Sequence, residues 1–188
     1  MKVPRKIFIG YDSKTPEPYY VCRQSMIDCG VDPSIIFPLM LELFECAGWY
    51  WRDPKAKAST EFTYTRFLVP YLSGFYGQSL FCDADFLWRH SPEILFDLLE
   101  AEEDVAVRVV QHSITPEQLS IVKMDGKPQE WYPKKNWSSM MVFNNAHPDC
   151  RRLVPETVSE ESASWLHQFE WTKNLGPTLP LTFNYLVG

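Results

Sequence analysis

The sequence has no long apolar run and no excess of basic residues, and each absence excludes a class of protein. The longest stretch without a charged residue, residues 67–82, contains proline and glycine and is shorter than the roughly 20 apolar residues that span a bilayer. Residues 2–10 hold too few apolar residues for a secretory signal peptide. Because 18 Lys and Arg stand against 24 Asp and Glu, the net charge is −6, which argues against a protein that coats nucleic acid. We therefore expect a cytoplasmic chain with no membrane segment and no nucleic-acid partner.

Cysteine is scarce, and its pattern fits neither a disulfide framework nor a structural zinc site. The number of cysteines, 5, is odd, and no two of them have C-x-x-C spacing. The sequence also contains no G-x-G-x-x-G, no P-loop and no G-x-S-x-G motif. We therefore expect buried free thiols in a reducing compartment, and we look for functional residues outside these common motifs.

Apolar and aromatic residues are abundant. A chain of 188 residues with 45% apolar residues can bury a sizeable core, which excludes a disordered protein. The length fits one compact unit, and we predict a single domain over residues 1–188. Aromatic residues, at 15%, fill cores but also stack on sugars and bases, so composition alone does not separate these two uses.

Short apolar segments alternate with amphipathic ones along the chain. Strands are predicted at residues 6–10, 35–37, 79–82, 104–110 and 139–143, and helices at residues 15–29, 61–73, 91–99, 148–158 and 162–169. This alternation predicts an α/β layered domain with a largely parallel sheet. The irregular stretch of residues 111–137 is long enough to be a functional loop or to contain a hairpin.

The sharpest chemical signal is an apolar strand that ends directly at two carboxylates, in Asp83-Ala84-Asp85. In open α/β sheets, ligands bind at the carboxyl ends of the strands. Two carboxylates at such a position suit a hard divalent cation, Mn²⁺ or Mg²⁺, which would in turn hold phosphate oxygens. The alternative interpretation is a turn in which the two aspartates cap the backbone.

Three other segments carry candidate ligand contacts. Tyr11 and Asp12 follow the first strand, where they could stack on a base and accept its N–H groups, or form a capped loop. Arg66 lies among aromatic residues and needs an anionic partner, which is either a phosphate or one of the aspartates. Ser138, beside Trp137 and just before a strand, offers polar groups next to a ring, as a sugar site does and as a turn does.

Taken together and in this order, four segments resemble the GT-A glycosyltransferases, most closely their retaining, family 8-like branch. These segments are residues 7–13, 62–67, 80–85 and 137–144. The resemblance implies a Rossmann-like, three-layer α/β/α domain with a mostly parallel central sheet. It implies a hexosyltransferase-like activity with a nucleotide-sugar donor, which we expect to be a UDP-sugar, and a saccharide or glycoconjugate acceptor.

The resemblance also assigns roles to the residues at the strand ends. In such enzymes the residues after the first strand hold the nucleobase, which gives that role to Tyr11 and Asp12. Arg66 would lie near the diphosphate and act on the growing negative charge of the leaving group. Asp83 would contact ribose or sugar hydroxyl groups and assist in binding metal, and Asp85 would bind Mn²⁺ or Mg²⁺ directly.

The chain departs from the family pattern in two places. Relatives usually have Asn, a small residue and Gly before the later strand, whereas this chain has Trp137-Ser138-Ser139, with Ser138 as the candidate donor contact. Relatives also supply a metal-ligating histidine from a segment near the C-terminus, and residues 181–188 end the sequence before such a segment. We therefore expect a catalytic domain without its C-terminal segment.

Two other functions are compatible with the sequence. One is a catalytically inactive module that binds a nucleotide or a sugar on the same fold. The other is a phosphatase of the haloacid dehalogenase type, in which Asp83 would attack phosphorus. The inactive module would bind its ligand without any turnover of a donor sugar. The phosphatase would give burst release of phosphate from an aryl phosphate.

Overall fold

The computed structural model describes residues 3–53, 58–100, 104–113 and 133–185. Within these residues, five strands form one open sheet: β1 (Arg5–Gly10), β2 (Ile36–Leu39), β3 (Gln78–Cys82), β4 (Val107–Val109) and β5 (Met140–Asn144). The helices are α1 (Glu17–Asp28), α2 (Leu41–Cys46), α3 (Val69–Leu72), α4 (Ile94–Glu100), α5 (Pro155–Glu160) and α6 (Ala163–His167). None of the helices in the described ranges has both the length and the apolar character to cross a membrane.

The strand order is β2–β1–β3–β5–β4. β1 is parallel to β2 and β3, whereas β5 is antiparallel to both β3 and β4. Among the five strands of the described residues, β5 alone therefore has the reversed direction. The predicted α/β fold with a mostly parallel sheet is therefore confirmed. The reversed strand matters for function, because it starts beside the end of β3: Cys82 pairs with Met140.

Alternate strand residues supply the two halves of the core. Phe8, Phe81 and Met141 belong to one buried cluster, which includes residues of α2, α5 and α6. Ile7 and Leu80 belong to the other cluster, which includes residues of α1 and α4. Because successive strand side chains point to opposite faces, the two clusters place helices on both faces of the sheet, as the three-layer prediction requires. All five residues of β3 are buried, which is typical of a central strand.

The prediction of one continuous helix at residues 61–73 is wrong. The structure has a 3₁₀ turn, Thr65–Leu68, followed by the single turn of α3, in which Pro70 stands at the start. Proline lacks the N–H of a helix interior but is tolerated in the first turn, so the α-helix begins only at Val69. Gly74, with a φ of 68°, lies just beyond the last residue of α3, close to the predicted end at residue 73.

Other predictions shift in detail. The helix predicted from residue 15 begins only at Glu17, after Pro16, and no side chain caps its start. The strand predicted at residues 104–110 is confined to Val107–Val109, since Asp104 has a φ of 54° that a strand does not accept. Residues 114–132 of the irregular stretch and residues 186–188 of the C-terminal segment lie outside the described residues. All 5 cysteines are free, as expected, although Cys46 is exposed.

Gly10 is the position where β1 meets the segment that carries Arg66. A Cβ atom at Gly10 would lie 2.5 Å from the Phe62 ring, which is far inside van der Waals contact. Phe62 is 4% exposed and cannot move into solvent without loss of core contacts. The absence of a side chain at Gly10 therefore lets the two segments approach each other.

We predict that Gly10→Ala lowers the free energy of unfolding by about 1–3 kcal/mol, the usual cost of overpacking a core. Urea denaturation measures this loss. Phe62→Leu is the matched background, because the smaller side chain makes room for the added methyl group. The added cost of Gly10→Ala should shrink in the Phe62→Leu protein, and an equal cost in both backgrounds would show that the ring contact is not its cause.

Candidate functional site

The candidate site lies along one edge of the sheet, by which we mean the border formed by the ends of the strands and not an outer strand. β1 and β3 run in parallel and end at this edge, where Ile9 pairs with Cys82, and β5 begins there opposite Cys82. Tyr11 and Asp12 follow β1, Asp83 follows β3, and Ser138 precedes β5. The topology thus brings to one edge four of the residues that the sequence predicts to bind ligand.

Arg66 joins three segments of this edge. Its Nη1 lies 2.9 Å from Asp83 Oδ1 and donates a hydrogen bond to the Ser138 carbonyl at 2.8 Å, while its Nε donates to the Phe62 carbonyl at 3.2 Å. The Arg66 side chain is only 7% exposed, and its guanidinium lies 5.0 Å from the centre of the Phe81 ring. The sequence left the anionic partner of Arg66 open, and the structure identifies Asp83 as that partner.

The surroundings of the Asp83 carboxyl group disfavour its charged form. Burial raises its pKa to about 7; the Arg66 guanidinium opposes this increase, and the negative charge of Asp85 adds to it. In the described part of the chain, the ion-pair contact with Arg66 is all that Oδ1 has, since no hydrogen-bond partner of good geometry faces it. The Asp83 backbone N–H donates to the Ser139 carbonyl at 2.8 Å, which fixes the start of the loop.

Asp85 differs from Asp83 in its environment. Asp85 is exposed, and the buried Ala84 separates the two carboxylates. Within residues 3–53, 58–100, 104–113 and 133–185, no group of three or more His, Cys, Asp or Glu side chains could hold a metal ion. The oxygen donors of Asp83 and Asp85 fit the preference of Mn²⁺ or Mg²⁺, but two protein ligands are a partial set, which phosphate oxygens and water would have to complete.

The loop after β1 is braced against the segment that contains Arg66. The Asp12 carboxylate accepts hydrogen bonds from the backbone N–H groups of Lys14 at 3.1 Å and Glu61 at 3.4 Å. In return, the Glu61 carboxylate accepts from Ser13 N at 2.9 Å and from Ser13 Oγ at 2.5 Å. Asp12 therefore caps its own loop, as the alternative interpretation states, and this cap holds the loop next to Arg66.

Tyr11 stands beside this brace. Its ring is half-buried and meets the Tyr19 ring edge-on, with 5.5 Å between the ring centres. Tyr19 and Tyr20 both lie in the first turn of α1, and Tyr20 is 59% exposed. Aromatic surface is thus available at the end of β1. The resemblance to the GT-A glycosyltransferases implies that the nucleobase binds there.

His167, the last residue of α6, also belongs to this edge, and it is not among the site residues predicted from the sequence. His167 Nδ1 is hydrogen-bonded to Ser138 Oγ at 2.8 Å. Burial is the main reason why the pKa of His167 is lowered to about 3, and the positive charges of Arg66 and Arg52 contribute to the same decrease. No spacing with another histidine pointed to it, and only the three-dimensional fold brings it to Ser138.

Asn184 was missed as well. It is 4% exposed, and its Nδ2 donates to Ser139 Oγ at 2.7 Å. Ser139 Oγ donates in turn to the Asn136 carbonyl at 2.6 Å, and the Ser139 carbonyl accepts from Asp83 N. The C-terminal segment therefore holds the turn against which Asp83 is fixed.

Comparison with known proteins places this geometry in context. No protein-family model matches the chain. Protein CDI of Arabidopsis thaliana is 38% identical over 189 residues, which cover 100% of this chain and 71% of that protein. Mouse xyloside xylosyltransferase 1, in its apo form, superposes with a TM-score of 0.56 at 10% identity over 95% of this chain and 86% of that one.

A second solved structure is similar over part of its length. The bifunctional glycosyltransferase WbbM, also in its apo form, gives a TM-score of 0.52 at 13% identity over 96% of this chain and 39% of that one. At such low identity the likeness establishes the fold. The chain therefore has a GT-A-like glycosyltransferase fold, as the sequence predicted.

His167 predicts a pH dependence of stability. The unfolded chain takes up a proton on this residue near pH 6.5, whereas the folded chain does not until about pH 3. The contribution of a neutral His167 is therefore complete above pH 6.5 and is lost as the pH falls toward 3. We expect the stability of the wild type relative to His167→Gln to decrease between pH 7 and pH 4.5.

Urea denaturation of both proteins at each pH measures this difference. The comparison is needed because the raised pKa of Asp83 works in the opposite direction in the same pH range. His90→Gln, at an exposed position, is the matched control. If the difference between the wild type and His167→Gln is the same at both pH values, His167 is not held neutral.

Proposed function

The chain belongs to the family of Protein CDI of Arabidopsis thaliana, and from its fold and the geometry of its site we propose that it is a glycosyltransferase. It transfers a sugar from a nucleotide-diphosphate sugar, a UDP-sugar, to a saccharide or glycoconjugate acceptor. The observation that carries the proposal is the Arg66–Asp83 pair, 2.9 Å apart at the carboxyl end of β3 with Asp85 beside it. A buried cation and two carboxylates at this edge suit a ligand that brings both a diphosphate and a metal ion.

We propose that the donor lies along this edge, with its base near the end of β1 and its sugar near the start of β5. Tyr11 and Asp12 contact the nucleobase, because their loop offers an aromatic ring and is fixed by the mutual hydrogen bonds with Glu61. Arg66 faces the diphosphate, and Ser138, whose carbonyl Arg66 holds, faces the sugar. The nucleotide-sugar thus extends from the end of β1, past β3, to the start of β5.

Mn²⁺ or Mg²⁺ would be held by Asp85 and Asp83 together with the diphosphate oxygens, and it would stabilise negative charge on the leaving diphosphate. Arg66 would stabilise the same negative charge through its guanidinium group. Its guanidinium is oriented before any ligand arrives, since the carbonyls of Phe62 and Ser138 accept two of its N–H groups. Such a preorganised donor costs no reorganisation when charge develops.

We propose a retaining reaction of the family 8-like kind, in which the acceptor hydroxyl attacks from the face that the diphosphate leaves. The environment of Asp83 supports this proposal and disfavours a phosphatase. A carboxylate nucleophile must be ionised and open, whereas burial raises the pKa of Asp83 to about 7 and Arg66 contacts its Oδ1. Asp83 is better suited to orient Arg66 and the ligand than to form a covalent bond.

We predict that UDP binds in a manganese-dependent way and that Asp85→Asn weakens this binding at least about tenfold in the presence of Mn²⁺, which corresponds to about 1.4 kcal/mol. The physical reason is the loss of one anionic metal ligand. Calorimetric titration of UDP and GDP, each with and without Mn²⁺, measures the effect and identifies the base. The melting temperature should stay unchanged, because Asp85 is exposed.

Asp28→Asn is the matched control, since Asp28 is an exposed aspartate at the last residue of α1 and is not one of the candidate ligand residues. Unchanged manganese dependence in Asp85→Asn would exclude the metal role of Asp85. Binding of a UDP-sugar without any hydrolysis or transfer would favour the catalytically inactive module.

A further inference from the structure

Ser138 is held from two sides. Arg66 Nη1 donates to its carbonyl at 2.8 Å, and His167 Nδ1 is hydrogen-bonded to its hydroxyl at 2.8 Å. Ser138 is 6% exposed, so its hydroxyl has few orientations available. Arg66 therefore fixes the backbone of Ser138, and His167 fixes the direction of its O–H group.

The His167 ring has its own fixed orientation. It meets the Phe67 ring edge-on at 83°, with 5.1 Å between centres, and it lies 6.0 Å from the Tyr64 ring. Phe67 and Tyr64 are 0% and 4% exposed, and both flank Arg66 in sequence. The segment that positions Arg66 thus also positions the imidazole that holds Ser138.

The charge state of His167 makes this contact directional. Burial lowers its pKa to about 3, and the guanidinium groups of Arg66 and Arg52 contribute to the decrease. A neutral imidazole has one N–H and one lone pair, so the nitrogen that faces Ser138 has a single role. The hydroxyl of Ser138 must take the complementary role, which leaves its remaining hydrogen-bonding capacity with a defined direction.

The neighbourhood of α6 does not depend on this hydrogen bond for its place in the fold. Leu166 is 0% exposed in the core, and Phe169, at 1% exposure, packs against Trp171 with 6.0 Å between ring centres. Lys134 Nζ also donates to the Gln168 carbonyl at 2.6 Å. These contacts hold the chain on both sides of His167, so the position of the imidazole does not depend on its hydrogen bond to Ser138 alone.

We propose that His167 is a positioning residue for the donor sugar: it holds the Ser138 hydroxyl in the orientation in which that hydroxyl forms a hydrogen bond with the transferred sugar. This inference rests on the proposed function, because it takes Ser138 as the sugar contact. His167 acts through Ser138. Loss of its Nδ1 should therefore have the same effect on sugar binding as loss of the Ser138 hydroxyl.

A double-mutant cycle tests this equivalence. The proteins are the wild type, Ser138→Ala, His167→Phe and the double variant, each titrated with UDP and with UDP-glucose or UDP-galactose in the presence of Mn²⁺. We expect each single variant to weaken binding of the UDP-sugar about three- to tenfold more than binding of UDP, as the loss of one neutral hydrogen bond does. The double variant should show no further loss.

Two conservative variants separate positioning from packing. In His167→Asn, the side-chain amide reaches the place of Nδ1 and should restore most of the loss, whereas in His167→Gln it reaches the place of Nε2 and should not. Melting temperatures confirm that each variant is folded. Losses that add in the double variant, or a folded His167→Phe that binds UDP-sugar as the wild type does, would overturn the inference.

A second measurement needs no donor. Nitrogen-15 NMR of the His167 ring in the free protein should show one neutral tautomer in the wild type and mixed tautomers in Ser138→Ala. Mixed tautomers already in the wild type would contradict the positioning role. Absence of any nucleotide binding by the wild type would instead overturn the proposed function, so the two failures are distinguishable.

Discussion

The candidate site depends on one buried ion pair. Arg66 is nearly excluded from solvent, and a guanidinium in such a place is costly unless charged and polar groups surround it. Asp83 supplies the charge, and the carbonyls of Phe62 and Ser138 supply the polar contacts. Because these partners come from three separate segments, satisfying Arg66 forces the segments together. Burial raises the pKa of Asp83 even though Arg66 opposes the increase, and Oδ1 of Asp83 has no hydrogen-bond partner of good geometry among the described residues. A cationic ligand would stabilise the charged form of this carboxylate.

The rest of the structure supports this pair from its two sides. On the β1 side, the absence of a side chain at Gly10 lets Phe62 approach, and Glu61 fixes the adjoining loop through Ser13. On the β5 side, the reversed strand starts beside the end of β3, and Asn184 and His167 hold the turn that precedes it. The site is thus built from short-range hydrogen bonds on a rigid sheet, which is the arrangement that preorganised electrostatic stabilisation needs.

Local sequence signals predicted the strands of the sheet and an anionic partner for Arg66, but they did not identify that partner as Asp83. The apolar runs at β1 and β3 predicted buried strands, and the burial of Arg66 among aromatic residues predicted an anionic partner. The helical pattern of residues 61–73 failed, because Pro70 permits only a turn to form before it. His167 and Asn184 could not be found in this way, since they contact Ser138 and Ser139 across 29 and 45 residues of sequence. Such long-range contacts arise from tertiary packing and leave no local pattern.

The most direct test of the account is a crystal structure of the protein with Mn²⁺ and UDP, recorded at a wavelength where manganese scatters anomalously. The account predicts an anomalous peak at about 2.1 Å from a carboxylate oxygen of Asp85, a separation typical of small hard divalent cations, with the diphosphate beside Arg66 and the base beside Tyr11. A nucleotide bound elsewhere, or bound at this edge with no manganese near Asp85, would contradict it.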